Sequence, residues 1–236
     1  MDKKQSFLEC ERNRVFYLLM MSSGMLGAFT YCVRGGVFCN AQTGNIVLLG
    51  MAIGHGNWKE ALYLIIPITA YCLGAVVSEI LPGPVKKTGV VRWDTLLTGI
   101  EIAVTLLLGF LPESTPFQIS QVAINFICSM QYNTFRQAEG IPMATTFCTN
   151  HVRQTGISLV KWLLKGNVAY SRKFIRHAGM LLMFIIGAVL STVLCNLFTG
   201  KAIWGTSIIL CIVFIDLFHA DLTKEKEMFG RVPSGH

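Results

Sequence analysis

Charge is scarce in this chain. Only 14% of its 236 residues are Asp, Glu, Lys or Arg, against 53% that are hydrophobic. A soluble domain carries about 25% charged residues. Too few ionic groups are present to cover a water-facing surface, and the bilayer is the environment that this composition points to. The patterns of a metal or catalytic centre are missing as well. The eight cysteines form no Cys-x-x-Cys, and no Cys/His spacing reads as a zinc site. Most sit inside apolar runs (Cys32, Cys72, Cys128, Cys195, Cys211) as small fillers. No Ser/His, paired-Asp or metal-ligand constellation stands out, so neither an enzyme nor a metal or cofactor is expected. A cleavable signal is not evident either, because seven of the first fourteen residues are charged. The first helix is expected to act as its own insertion signal.

The charge that exists is grouped. The formal net charge is +7. Fifteen of the 20 Lys and Arg fall in four clusters, at 1–14, 82–94, 161–177 and from 221 onward. Apolar runs separate the clusters. Such spacing excludes a nucleic-acid surface and fits the positive-inside rule. It places all four clusters, and both termini, on the cytoplasmic side.

The long apolar runs are roughly 15–33, 61–81, 95–111, 118–135, 174–198 and 202–220. Each approaches the roughly 17–25 residues that span hydrocarbon. Two shorter runs, 46–54 and about 155–164, cannot span alone. If the clusters are all inside, 34–60 must start and end outside, and 136–160 must start and end inside. The expected fold is therefore an all-α polytopic membrane bundle. It has about six transmembrane helices and two re-entrant half-helices, arranged as an inverted 3+3 repeat. The chain is expected to form a single transmembrane domain over 1–236, with repeats at 15–111 and 118–220. Two internal matches agree with that. GAVVSEIL at 74–81 shares five of eight positions with GAVLSTVL at 187–194, and TGNIVLLG at 43–50 aligns with TNHVRQTG at 149–156. Unrelated helices that both chose small packing residues would also produce such matches.

The half-helices carry the chemistry. The first is entered through Asn40, Gln42, Thr43, Gly44 and Asn45. Irregular backbone at membrane depth survives only inside protein or beside water. Residues 34–44 are expected to descend as extended chain, with Thr43 or Asn45 capping a helix from about Asn45 to Gly54. The second device is ATTFCTNHVRQ at 144–154. A helix that starts near the midplane directs free N–H groups and a partial positive charge inward. The candidate substrate-binding residues are Gln42, Thr43, Gly44, Asn45, Thr145, Thr146, Thr149, Asn150, His151 and Arg153. Capping alone would also account for Asn45, and threonine hydroxyls readily bond their own helix. Glu101, inside the third run, is a candidate for proton or cation coupling, or a carboxyl kept neutral by burial. Arg34, Arg136 and Arg153 would add an electropositive vestibule, or snorkel to headgroups. Trp58, Trp93 and Trp204 read as interfacial anchors.

GGVFCNAQTGNIVLLG, then WKEAL and a Pro-containing segment ending GAVVSEIL, resembles the YoaK family. In the second half the resemblance rests on Met130-Gln131, Phe135-Arg136, Ala144-Thr145-Thr146 and CTNHVR. It covers nearly the whole chain. It implies a small bacterial membrane protein of about six spans and unknown function, placed in the inner membrane. Where the family carries an acidic residue in the first helix, this chain has Gly27. Where the family repeats Thr-Gly-Asn, this chain has Thr149-Asn150-His151. A histidine there would bring a pH-sensitive group to the midplane.

The leading expectation is a transporter or channel for a small anion or polar solute, with its site where the two half-helices start. The alternative is a non-transporting scaffold or partner subunit. The expected partners are the lipid bilayer and a small-molecule or ion substrate, not nucleic acid. A homo-oligomer is compatible with both.

Overall fold

Helix ends in this chain are set by a few residues with clear physical roles. The computed structural model describes residues 7–226, 228 and 231–235. Helix α1 (Asn13–Val33) stops at Arg34 because Gly35 and Gly36 take left-handed φ values of 85° and 71°. Extended chain leads to α2 (Gln42–Gly54). Helix α3 (Trp58–Ile80) opens on Asn57, whose side chain accepts from the Glu60 N–H at 3.4 Å and donates to its carboxylate at 2.8 Å. A short α4 (Pro82–Thr88) turns the chain into α5 (Trp93–Gly109), and α6 (Phe117–Thr134) follows. A two-residue hairpin, β1 (Gln137–Ala138) and β2 (Ile141–Pro142), turns through Glu139 and Gly140, both at positive φ. Helix α7 (Thr149–Lys165) ends on Gly166 at φ 62°. Asn167 caps α8 (Val168–Phe198), and a 3-10 turn leads into α9 (Trp204–Leu222).

The fold is an all-helical bundle, and each of the six long apolar runs falls on a helix: α1, α3, α5, α6, α8 and α9. By length and composition, three stretches among the described residues are able to cross a membrane: Asn13–Val33, Trp58–Lys87 and Val168–Leu222. Helix α5 has 17 residues, while α6 carries amides and hydroxyls along its buried face, at Ser120, Gln121, Asn125, Ser129 and Gln131. The outer faces of α3 and α8 are apolar and exposed, for example at Leu62, Ile66, Leu73, Leu182, Val189 and Val193. That inverts the pattern of a water-soluble bundle, as lipid contact requires.

Small residues draw the helices together. Helix α1 packs on α8 and α9, α3 on α6, and α5 on α9 and α6, while α2 lies on α3 and α7 on α8. A Cβ at Gly187 would overlap the Met21 carbonyl. One at Gly24 would overlap that of Phe184, and one at Gly74 that of Phe126. Backbones meet there with no side chain between them.

Two apolar clusters fill the interior. One, at the end that holds both termini, includes Leu8, Phe16, Leu19, Met20, Leu97, Phe135 and Leu217. The other includes Leu26, Phe29, Cys39, Leu108, Ile124 and Ile203. A polar layer lies between them. Along α1 it is Ser22 and Ser23, between Met20 and Leu26, and along α5 it is Glu101, between Leu97 and Leu108.

Two local expectations are corrected. Helix α2 starts at Gln42, so Thr43 and Asn45 lie inside it rather than capping it, and Gly44 is helical and makes no turn. Trp93 is no interfacial anchor; it is buried, with its indole donating to Thr134 Oγ1 at 2.8 Å.

Candidate functional site

Neither short helix has a side-chain cap at its start. Ala41 precedes α2 and Cys148 precedes α7, and neither accepts from the first turn.

Gln42 donates to Asn125 Oδ1 at 2.6 Å, and Asn125 donates to the Gln121 carbonyl at 2.7 Å. Asn125 stands midway along α6, whose 18 residues run about 27 Å. The start of α2 is thus sunk about half the depth of α6. Asn45, fully buried, reaches back to donate to the Phe38 carbonyl at 3.1 Å and to Gln42 Oε1 at 3.2 Å. These bonds tie the segment before α2 to the first turn of the helix. Higher up, Gln121 donates to the Arg34 carbonyl at 2.8 Å and accepts from the Tyr63 hydroxyl at 3.1 Å.

A similar tie stands at the start of α7. His151 Nε2 lies 2.7 Å from the Ala144 carbonyl, seven residues back, as Asn45 is from Phe38. His151 Nδ1 lies 2.9 Å from Nδ1 of His177 on α8. Thr145 and Thr146 are fully buried beside it, and the Tyr71 hydroxyl of α3 faces Thr146.

Two residues join the segments that lead into α2 and α7. Asn40, before α2, donates to the Ser23 carbonyl at 3.1 Å. Gln131 donates to Ser23 Oγ at 3.1 Å and lies 3.4 Å from the Thr145 carbonyl, before α7. Ser23 and Gln131 thus connect the two segments.

Other candidates lie elsewhere. Thr43, Gly44, Thr149 and Arg153 are exposed, and Asn150 is half-buried, accepting from Arg153 at 3.0 Å. Glu101 is buried on α5, with Oε2 lacking any partner among the described residues, and no bond among them connects it to α2 or α7. The expected vestibule of three arginines does not form. Arg34 lies at one end of α6, over the Phe29 ring and beside Gly200, while Arg136 lies at the other, 3.0 Å from Glu79. The length of α6 separates them. A cavity of about 330 Å³ opens on the Arg136 side, lined by Tyr132, Asn133, Arg136, Ala144, Phe147 and Asn150. It leads to the start of α7.

A family model described as "Protein of unknown function (DUF1275)" matches residues 15–215. The chain belongs to that family. It is also similar to the UPF0700 transmembrane protein YoaK of Bacillus subtilis (strain 168), at 21% identity over 187 residues, which is 76% of this chain and 82% of that protein. No solved structure matches. The YoaK-family assignment read from the AQTGN stretch therefore holds, and the chain is a membrane protein. In this YoaK-family bundle, the two short runs alone do not reveal Ser23, Asn125, Gln131 and His177. Each did carry a signal: a polar residue inside a long apolar run, where burial without a partner is costly.

Proposed function

We propose that this YoaK-family protein is a transporter or channel for a small anion or polar solute, with its site at the junction of the two half-helix starts. It has about six spans, both termini in the cytoplasm of a bacterial cell, and repeats over 15–111 and 118–220 related by inversion. It performs no catalysis. The observation that carries this reading is a correspondence of contacts. Exchanging α1 with α6, α2 with α7, α3 with α8 and α5 with α9 returns the main packing pairs. The α1–α8 contact becomes α6–α3, α2–α3 becomes α7–α8, α1–α9 becomes α6–α5, and α5–α9 maps onto itself. The closest approaches follow, since Gly187 against Met21 becomes Gly74 against Phe126. So do the paired ties, Asn45 to Phe38 and His151 to Ala144. Uncapped helix starts inside such a junction present N–H donors to an anion or a polar oxygen. A scaffold has no use for amides buried at that depth. Glu101 remains a candidate coupling carboxyl on the α5–α9 side.

Flux of small anions and neutral polar solutes into proteoliposomes tests the proposal. Solute entry in the wild type should fall about tenfold or more in Asn45→Ala and Gln131→Leu, with the protein still folded. A folded, inserted wild type that moves no solute would leave the partner-subunit role in its place.

A further inference from the structure

We infer that His151 and His177 form a proton-binding site, two imidazoles that take up one proton as a unit at the start of α7. Its part in transport rests on the function proposed above.

The hydrogen bonds assign the protons. A carbonyl can only accept, so His151 Nε2 carries the hydrogen that reaches Ala144 at 2.7 Å. In the neutral ring Nδ1 is then a lone pair. The 2.9 Å contact is satisfied only if His177 Nδ1 donates to it. His177 Nε2 is left as the basic nitrogen of the pair. A proton that binds there makes His177 an imidazolium. The Nδ1 hydrogen can then cross to His151 Nδ1. The positive charge now rests on His151, and His177 is neutral with its hydrogen on Nε2. The hydrogen bond between the rings survives with its direction reversed, and one proton has been gained in all. Both rings are buried, at 0% and 2% exposure.

The surroundings do not hold the charge permanently. On α8 the pair is near Lys173, and near Arg176, which is itself bound to Glu139 of the hairpin turn at 2.5 Å. On α1 the Tyr17 hydroxyl packs against Gly179, and Cys148 precedes α7. Among the described residues, the carboxylate nearest in this set is therefore already paired.

The first half shows what the site would be without this chemistry. Asn45 stands where His151 does and makes the same carbonyl tie through an amide. In the register of GAVVSEIL and GAVLSTVL, Leu64, also buried, stands where His177 does. His151→Asn and His177→Leu therefore copy an arrangement that this bundle already tolerates.

The test uses full-length protein in nanodiscs and ¹⁵N spectra of labelled histidine. At the alkaline end, His151 should be the Nε2–H tautomer and His177 the Nδ1–H tautomer. Between about pH 8 and 4 the two rings should shift together with the uptake of one proton. Each single variant should abolish that joint step while the spectrum stays folded. Rings that stay neutral throughout, or that titrate independently of each other, would overturn the site. Vesicles loaded with a pH-sensitive dye, under an imposed pH gradient and clamped potential, supply the second readout. Proton entry should drop about tenfold or more in His151→Asn and in His177→Leu. Loss of entry in Glu101→Gln with entry retained in both histidine variants would move coupling to Glu101 and overturn a transport role for the dyad. A joint titration without any proton or solute entry in the wild type would uphold the site and reject the transporter.

Discussion

Glycines with opposite surroundings show how much depends on single positions. Gly74 and Gly187 each face a carbonyl of the neighbouring helix at a separation that a Cβ would violate. A backbone carbonyl fixed in a helix cannot yield as a side-chain tip can. Gly74→Val and Gly187→Val should each cost about 1–3 kcal/mol through forced separation of the pair. Gly44 has nothing within 4 Å of where its Cβ would lie, and it sits inside a helix. Gly44→Ala should stabilise by about 0.5–1 kcal/mol, by removing the entropy that glycine loses on folding. Thermal unfolding in detergent checks both directions, and equal effects at all three sites would contradict the packing described.

The two short helices are held at their starts by long-range and local bonds rather than by caps. Asn45→Leu should leave the Phe38 carbonyl unpaired in a buried place, at a cost of about 1–3 kcal/mol. The loss should be local. Hydrogen exchange should quicken over 38–46 while α1 and α8 keep their protection. Protection lost across the whole bundle would instead make Asn45 part of the global core. The contrast between α2 and α7 also belongs at this scale. Helix α2 carries no charged residue, whereas α7 carries Arg153, Lys161 and Lys165.

At the scale of the molecule, the chain ends lock together. The backbone N–H groups of Leu8 and Ser234 both donate to the Glu11 carboxylate at 2.8 Å. The Glu9 N–H donates to Glu225 at 2.6 Å. Arg92 reaches the Met228 and Arg231 carbonyls at 3.3 Å. Burial works against ionisation of Glu11, but the bonds from Ser234 and Leu8 outweigh it and hold the carboxyl below its usual range. A carboxyl lowered by folding stabilises fully above the unfolded pKa and ceases to as pH falls through the folded one. Glu11→Gln should therefore lower Tm most near neutral pH. The difference from wild type should shrink below about pH 4, past the ordinary carboxyl value. Burial pushes Glu225 up, which has the opposite sign. The comparison must be the difference between variant and wild type, not the total pH profile. A difference constant from pH 7 to 3 would show that the Glu11 carboxylate adds nothing as a charge.

Composition and the placement of charge were sufficient to identify a helical membrane protein, because hydrophobic length and basic clusters are local properties of the chain. The AQTGN stretch carried the family for the same reason. The two short helices were also legible, since runs such as 46–54 are apolar yet too short to span. The starting point of α2 was not. A cap and a first-turn residue share the same side chains, and only the depth of packing against Asn125 separates them. Contacts between distant segments were beyond reach altogether. Nothing in the serine at 23 or the histidine at 177 says which carbonyl or ring it will meet. Tertiary packing brings Ser23 to Gln131 and His151 to His177, because once the apolar faces and small-residue contacts have chosen the helix pairs, each buried polar group must bond to whatever lies opposite.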